Sequence, residues 1–218
     1  MKHSVIVIGL GRFGTAAALE LMQLGHEVLA IDVDERRVND IAPDVTYAHQ
    51  LDATDDQALR SVGAAEFEHA IVAISGAAEA SIFATMALRT LGVTNVVAKA
   101  GSVLHGAILE RVGATRVVHP EQEAGRRVAH AFEIRQIIDY LDVAPDFGIV
   151  KTKPPASWQG KTLGELDLPG RYGLDPIVLR RGERVTIHPE GGERLSAEDE
   201  LTLIGRDEQL ERLADQPG

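Results

Sequence analysis

Residues 4–14, Ser-Val-Ile-Val-Ile-Gly-Leu-Gly-Arg-Phe-Gly, constrain the fold more than any other part of the sequence. Their first half is rich in β-branched residues, which is typical of a buried parallel strand. The strand ends in the pattern G-x-G-x-x-G, and a helical pattern over residues 15–24 follows at once. This order of strand, glycine pattern and helix predicts a dinucleotide-binding turn with the helix N-terminus facing the phosphates.

The three glycines have separate tasks in such a turn. Gly9 permits the tight turn, Gly11 lets a pyrophosphate approach the backbone, and Gly14 lets the helix pack close to the strand. The motif also needs an acidic residue about 20 residues further on. The apolar run over residues 26–32 supplies it, because it ends at Asp32. The alternative is that the glycines serve only the turn and that Asp32 only caps the next helix.

Six apolar segments alternate with helical patterns at a spacing of roughly 20 residues. This alternation predicts a Rossmann-like, doubly wound parallel sheet of six strands, which places the chain in the α/β class. After the first two strands, the predicted strands cover residues 45–49, 69–74, 95–98 and 116–119.

Ligands of such sheets bind at the carboxyl ends of the strands. The residues predicted at that edge are Asp32, Asp52, Ser75, Lys99 and His119. Asp52 either faces the nucleotide or caps the helix predicted over residues 56–62. Lys99 suits a phosphate counter-charge, with a general acid as the alternative, and His119 is a strand-end residue more often than a base.

A second, smaller module follows the sheet. Pro120 and Glu121 open a longer helix whose apolar positions, 124, 128, 131, 134, 138 and 141, recur at helical spacing. A second domain or a partner subunit is needed to cover this apolar stripe. Helix signals end near Pro145, and short strands and turns follow. The predicted divisions are therefore residues 1–120, a Rossmann domain; 121–143, a helix; and 144–218, a small α+β domain.

Composition excludes several classes of function. A net charge of −11 repels phosphate backbones, so no nucleic-acid partner is expected. The absence of cysteine excludes disulfides, Cys-ligated zinc and thiol catalysis. No apolar run approaches the ~18 residues of a membrane span, so a soluble chain is expected.

Gly160-Lys161-Thr162 is similar to the end of a phosphate-binding loop, but Pro155 stands where that loop needs glycine, which favours a helix start.

Several motifs together resemble a known family. The first part of the chain resembles an RCK (TrkA-N) domain, the regulatory domain of Trk/Ktr-type potassium uptake systems. The motifs that carry this resemblance are Gly9-Leu10-Gly11-Arg12-Phe13-Gly14, Asp32-Val33-Asp34, Asp52-Ala53-Thr54, Val97-Ala98-Lys99-Ala100 and His119-Pro120-Glu121. The tail resembles the companion TrkA-C domain through Gly160-Lys161-Thr162-Leu163, Arg171-Tyr172-Gly173-Leu174, Arg181-Gly182 and residues 199–205.

The resemblance implies a cytoplasmic regulatory (gating) subunit of a potassium transport system, not an enzyme. It implies homodimers that assemble into an octameric ring at the inner face of the cell membrane, beneath an integral-membrane potassium-translocating subunit. It also implies binding of ATP/ADP or NAD(H), with Mg²⁺ or Ca²⁺ as a possible companion of ATP. The helix over residues 121–143 would be the family's crossover and dimerisation helix.

The resemblance also assigns roles to individual residues. The three glycines would hold the phosphates, and Asp32 would take the adenosine ribose. Arg12 would reach toward the terminal phosphate, while Lys99 and Glu121 would line the same cleft. The complete expected nucleotide site is Gly9, Gly11, Arg12, Phe13, Gly14, Asp32, Asp34, Asp52, Ala53, Thr54, Ser75 and Lys99, with Glu121 as the metal ligand.

Two other functions stay open at this point. One is a small NAD-dependent oxidoreductase that uses His119 or Lys99, although the tail scarcely supplies a substrate pocket. The other is an independent nucleotide sensor that acts without a channel. Hydride-transfer assays separate the regulator from the enzyme, and co-purification with a membrane subunit separates it from the independent sensor.

Overall fold

A computed structural model describes residues 2–133 and 137–213. The chain divides into two compact units, Met1–Glu121 and Gln122–Gly218. Within the described residues, no helix combines the length and the apolar character needed to cross a membrane.

The first unit is a six-stranded parallel sheet flanked by helices, which confirms the predicted fold class. Its strands occur in the order β3-β2-β1-β4-β5-β6, so the chain reverses direction across the sheet between β1 and β4. The strands are β1 (Ser4–Ile8), β2 (Glu27–Asp32), β3 (Tyr47–Gln50), β4 (His69–Val72), β5 (Asn95–Lys99) and β6 (Arg116–Val118). The helices are α1 (Arg12–Gln23), α2 (Glu35–Ile41), α3 (Asp56–Ser61), α4 (Ala78–Thr90) and α5 (Val103–Arg111).

The continuous apolar runs of the central strands follow from burial on both faces of the sheet. Successive side chains of a strand point to opposite faces. Ile6 and Ile8 of β1 therefore pack into one core cluster, while Val7 packs into the other. All three are 2% exposed or less, and each contributes about 1.5–3 kcal/mol by burial.

The second unit is built on a five-stranded antiparallel sheet in the order β10-β9-β11-β8-β7. Its strands are β7 (Ile137–Ala144), β8 (Phe147–Thr152), β9 (Asp175–Arg181), β10 (Arg184–Ile187) and β11 (Glu200–Arg206). Short helices α7 (Leu163–Leu166), α8 (Leu168–Tyr172) and α9 (Asp207–Glu211) complete it. The helix α6 (Pro120–Glu133) begins at the end of the first unit and leads along the chain into this one.

The predicted helix over residues 121–143 is wrong in its second half. The helix α6 has its last residue at Glu133, and Ile137–Ala144 forms the strand β7. The predicted stripe position at Ile134 lies outside the described residues. Strand pairing explains the difference, because β7 satisfies its backbone against β8 with Tyr140 opposite Val150.

Tyr140 shows why a strand is the better structure here. Its ring fits against Gly148 of β8, where an added Cβ would lie 2.5 Å from Cε2 of Tyr140. The side chain is 3% exposed, and its hydroxyl donates to Oδ1 of Asp207 at 2.8 Å. Desolvation and the neighbouring carboxylates of Asp207 and Asp142 raise the pKa of Tyr140 far above its usual range. The hydroxyl therefore stays protonated and acts as a donor.

Candidate functional site

The glycine turn between β1 and α1 has the geometry that its sequence predicts. Gly9 has a φ of +92°, and a Cβ there would lie 2.8 Å from the backbone nitrogen of Ile74. A Cβ at Gly14 would lie 1.9 Å from the carbonyl oxygen of Gly9, so only glycine lets α1 approach the turn this closely. Gly11 differs, because none of the described atoms lies within 4 Å of a Cβ placed on it. The space above Gly11 is therefore open to a ligand.

The N-terminus of α1 opens onto the same space. Gly11 is its N-cap residue, with an extended backbone and no side chain that could accept from the first N–H groups. The first turn of α1, which is described throughout, carries no acidic residue. Free N–H groups and the positive end of the helix dipole favour an anionic ligand here.

Asp32 is fixed at the carboxyl end of β2 beside this turn. It is 6% exposed, and its Oδ2 accepts from the backbone N–H of Leu10 at 2.6 Å. Its Oδ1 accepts from the N–H of Asp34 at 2.9 Å, and Nη1 of Arg37 lies 3.4 Å from Oδ2. The carboxylate thus ties the glycine turn to β2 and keeps acceptor capacity toward the cavity.

A cavity of ≈ 490 Å³ lies at the carboxyl edge of the sheet over the glycine turn. Ten of the thirteen predicted site residues line it. The residues from the turn and α1 are Gly9, Gly11, Arg12 and Phe13. Those from the ends of β2 and β3 are Asp32, Asp52 and Ala53, and those from the side of β4 and β5 are Ser75, Lys99 and Glu121.

The other three predicted residues are absent from the described lining of this cavity. Gly14 is buried against the turn, as described above. Asp34 is the N-cap of α2 and accepts from the N–H of Arg36 at 3.0 Å. Thr54 donates from its backbone and its hydroxyl to Oδ1 of Asp52, at 2.9 and 2.8 Å. Gly14, Asp34 and Thr54 thus hold the glycine turn, the start of α2 and Asp52 in place, and do not line the described cavity themselves.

The geometry of α3 excludes the alternative in which Asp52 caps this helix. The N-cap of this helix is Asp55, whose Oδ1 accepts from the N–H of Gln57 at 2.8 Å. Asp52 is exposed and faces the cavity.

Sequence reasoning missed part of the lining. Arg37 of α2 reaches the cavity, although it lies one helical turn after the strand-end Asp32. Its position at the start of a helix after that strand was the available signal. Several apolar residues also line the cavity, from strand ends, from the segments that follow them and from the start of α4, and in the sequence they look like ordinary core. They are Ile8, Ile31, Val33, Leu51, Ala73, Ile74, Ala77 and Ala80.

Lys99, Ser75 and Glu121 form a polar cluster on one wall of the cavity. The ammonium of Lys99 donates to Oγ of Ser75 at 2.8 Å and pairs with Oε1 of Glu121 at 2.6 Å. Lys99 is 8% exposed, whereas the side chain of Glu121 is 67% exposed. The hydrogen bond from Lys99 lowers the pKa of Glu121, partly against desolvation, and Arg12 contributes in the same direction. Glu121 is therefore ionised and already has a cationic partner.

A protein-only metal site at Glu121 does not fit this arrangement. Among the described residues, no group of three His, Asp or Glu side chains is placed to hold a metal ion. The carboxylate of Glu121 faces an ammonium, which is a poor environment for a second cation.

The two candidate catalytic groups are also accounted for. The side chain of His119 lies against α5, where a Cβ added to Gly106 would lie 3.1 Å from its Cε1. Lys99 already donates to Ser75 and Glu121. Lys99 is therefore engaged by two side chains, and His119 packs against a helix.

Comparisons with known proteins agree with this geometry. Residues 5–120 match the family model of the TrkA-N domain, and residues 148–218 match that of the TrkA-C domain. The chain is 37% identical over 205 residues to the Ktr system potassium uptake protein C of Bacillus subtilis, covering 94% of this chain and 93% of that protein. It is 32% identical over 206 residues to the Ktr system potassium uptake protein A of the same organism, with the same coverage.

Solved structures show the same fold. The GsuK RCK domain superposes with a TM-score of 0.65 at 20% identity, covering 100% of this chain. The GsuK channel bound to NAD gives a TM-score of 0.64 at 20% identity, also over 100% of this chain. The chain spans 48% and 40% of the length of these two longer proteins.

Proposed function

The chain belongs to the TrkA-N/TrkA-C family of potassium-uptake regulatory proteins, and from this premise we propose that it switches potassium transport according to its bound adenine nucleotide. The observation that carries the proposal is the cavity over Gly11. There an open helix N-terminus, a fixed carboxylate and three cationic side chains converge.

The parts of the cavity match the parts of an adenine nucleotide. The diphosphate would lie over Gly11 at the N-terminus of α1, where N–H groups and the helix dipole favour anions. The ribose hydroxyls would donate to Asp32, whose carboxylate is held in place by Leu10. ATP/ADP and NAD(H) share this adenosine diphosphate portion, so the cavity suits both classes.

The switching step would depend on a group that distinguishes one nucleotide from another. A ligand shifts an equilibrium only through its different affinity for the two states. ATP differs from ADP by its terminal phosphate, and Arg12 and Lys99 are the cations that line the cavity where this phosphate would extend. The phosphate would compete with Glu121 for Lys99, and displaced Glu121 would change the environment of the first turn of α6.

Its place in the cell follows from the same family membership. We propose that the chain forms dimers and an octameric ring beneath an integral-membrane potassium-translocating subunit, at the cytoplasmic face of the membrane. The names and full-length similarity of the Bacillus subtilis relatives support a role in potassium uptake.

We propose that the chain acts as a regulator and not as a small NAD-dependent oxidoreductase. Lys99 is engaged by two partners, and His119 lies against α5. An oxidoreductase needs a positioned acid or base within reach of a substrate. No feature of the described cavity favours that function.

The test combines binding with transport. Adenine nucleotides should raise the melting temperature of the purified protein, because a ligand that binds only the folded state adds RT ln(1 + [L]/Kd) to stability. Gly11→Val should remove most of this shift, and potassium flux through the reconstituted membrane subunit should differ between ATP and ADP. A normal nucleotide shift in Gly11→Val would disprove the site. Hydride transfer with a substrate panel would favour the enzyme, and lack of any co-purifying membrane subunit would favour an independent sensor.

A further inference from the structure

A second cavity, of ≈ 430 Å³, lies in the second unit and is lined by three cationic side chains. They are Lys161, Arg171 and Arg194, and all three are exposed to solvent. Tyr172 contributes an aromatic wall. Among the described residues that line this cavity, Glu165 alone is acidic.

Glu165 is already committed to a structural role. Its Oε2 accepts from the backbone N–H of Thr162 at 2.7 Å, and the hydroxyl of Thr162 accepts from the N–H of Glu165. This capping box begins α7 and confirms the helix start predicted at Lys161-Thr162. The hydrogen bonds from Thr162, with smaller contributions from Arg194 and Lys161, lower the pKa of Glu165. One ionised carboxylate thus faces three cations.

The three cations of the cavity lack close carboxylate partners. Among the side chains that the structure describes, no carboxylate oxygen lies within 4.0 Å of the charged groups of Lys161, Arg171 or Arg194. Nearby arginines of the same unit are paired, Arg180 with Glu200 and Arg181 with Asp199. In a chain of net charge −11, this local excess of positive charge is available to an anion.

The backbone that carries these cations is held by hydrogen bonds to the neighbouring segment. Gly160 donates to the carbonyl of Leu195 at 2.9 Å, and Leu195 donates to that of Lys161 at 2.9 Å. The guanidinium of Arg194 donates to the carbonyl of Gly160. Because this frame is formed before a ligand arrives, binding has little backbone entropy to overcome.

The aromatic wall is equally well supported. The ring of Tyr172 meets that of Trp158 edge-on, with centroids 5.4 Å apart. Trp158 is 1% exposed and belongs to the core of the second unit. Tyr172 is therefore a fixed surface against which the non-anionic part of a ligand can lie.

We propose that this cavity binds a small polyphosphate anion, with Lys161, Arg171 and Arg194 around its phosphate groups and Tyr172 beside the group that carries them. Arginine guanidinium groups bind phosphate oxygens in pairs, and lysine adds a compact charge. Two linked phosphates offer three cations more charge and more acceptor oxygens than a single tetrahedral anion does. This site is separate from the cavity over Gly11, since the two belong to different units.

The probe for the test is inorganic pyrophosphate, measured by calorimetry on the full chain at fixed ionic strength without divalent cations. Gly11→Val serves as the background, because pyrophosphate also suits the glycine turn. We expect one pyrophosphate site per chain in this background. Adding Lys161→Gln and Arg171→Gln should weaken it by at least about tenfold, since charge-assisted hydrogen bonds are lost.

The matched control adds Lys153→Gln and Arg60→Gln, which remove two exposed cations outside the cavity. This control should keep the affinity of the background. If Gly11→Val reduces the folded fraction, the wild-type background replaces it, and one of two pyrophosphate sites per chain should then be lost. The proposal would be overturned if the control weakened pyrophosphate binding as much as the cavity variant, or if the cavity variant bound pyrophosphate as the background does. It would also be overturned if sulfate bound as tightly as pyrophosphate.

Discussion

Lys99 and Glu121 form an ion pair with 2.6 Å between Nζ and Oε1, which joins the end of β5 to the first turn of α6. The pair is asymmetric, because Lys99 is almost fully buried and Glu121 is largely exposed. A buried cation needs an anionic partner, whereas an exposed carboxylate is readily solvated. A ligand phosphate can therefore replace Glu121 at Lys99 at modest cost.

If a terminal phosphate replaces Glu121 at Lys99, two variants should alter how potassium flux depends on the bound nucleotide. Arg12→Ala and Glu121→Gln should retain ADP binding, because ADP uses the glycine turn and Asp32. Both variants should lose most of the difference in potassium flux between ATP and ADP, which corresponds to a coupling of about 1–3 kcal/mol. Flux through the reconstituted membrane subunit measures this difference.

Glu110→Gln provides the control, since it neutralises an exposed carboxylate on α5 outside the cavity. It should respond to ATP and ADP as the wild type does. If Arg12→Ala and Glu121→Gln still distinguish the two nucleotides normally, this mechanism is wrong.

The geometry of the glycine turn predicts that alanine at Gly14 and alanine at Gly11 change the stability of the first unit by different amounts. Gly14→Ala should destabilise the first unit by about 2–4 kcal/mol, because its Cβ would collide with the backbone of Gly9. Gly11→Ala should change stability by about 1 kcal/mol or less, because its Cβ enters open space. Urea unfolding followed by circular dichroism compares the two variants, and equal losses would contradict the described turn.

The position of Asp32 predicts that the site discriminates against a cofactor with a phosphate on the 2′ position of its ribose. Its carboxylate accepts from a ribose hydroxyl but repels a phosphate, so NADPH should bind more weakly than NADH. Arg37 lies 3.4 Å from Asp32 and partly offsets this repulsion, so Arg37→Ala should widen the difference. Calorimetry with both cofactors tests this, with Arg36→Ala as the control. Equal affinities in wild-type protein would refute the prediction.

The ion pair of the buried Asp199 with the partly exposed Arg181 predicts how the stability of the second unit depends on pH. Asp199 has no exposed side-chain surface, and both its oxygens pair with Arg181 at 2.8 Å. The hydrogen bond from Arg181 lowers the pKa of Asp199 below the ordinary 3.8, against desolvation. The stability that ionised Asp199 contributes is thus complete above the unfolded pKa and is lost as the pH falls through the folded pKa.

The corresponding variant is Asp199→Asn. It should lower the free energy of unfolding by about 2 kcal/mol or more at neutral pH. Its deficit relative to wild type should shrink below pH 3.8. Denaturant titrations at several pH values measure both, with Glu200→Gln as a more exposed control. A deficit that grows toward acidic pH would have the wrong sign.

Exposed apolar side chains predict association of the chain. Val128 of α6 is 66% exposed and Leu141 of β7 is 61% exposed. Leu141→Asp should leave the single chain folded but reduce the oligomer mass in light scattering, because burying the new charge in an interface costs several kcal/mol. Tyr47→Asp, on the edge strand β3, should leave the mass unchanged. A monomeric wild-type protein at micromolar concentration would disprove association.

The sequence predicted the first unit well because its signals are local. The run over residues 4–8 becomes β1, and the glycine pattern follows it directly into α1. The same local logic predicts Asp32 at the end of β2. In each case, the residues that determine the structure are close together in the chain.

Pairing and contacts between separate elements explain what the sequence did not predict. Apolar residues at 124, 128, 138 and 141 fit a helical period, yet pairing with β8 makes residues 137–144 a strand. The strand β10 was missed because Arg184–Ile187 is short and exposed and pairs with β9 alone within the described sheet. The ion pair of Lys99 with Glu121 joins residues from different elements, which periodicity cannot reveal.

The buried Trp158 gives this protein an optical property of practical value. It is the one tryptophan in the sequence, and it lies in the core of the second unit against Tyr172. Its fluorescence therefore reports on the second unit, whereas the nucleotide cavity lies in the first. In a variant with Lys161→Gln and Arg171→Gln, in which ATP cannot act through the cavity beside Tyr172, a change in tryptophan emission on adding ATP would record communication along the chain without any attached dye. The protein thus contains its own spectroscopic reporter of the signal that a regulator must transmit.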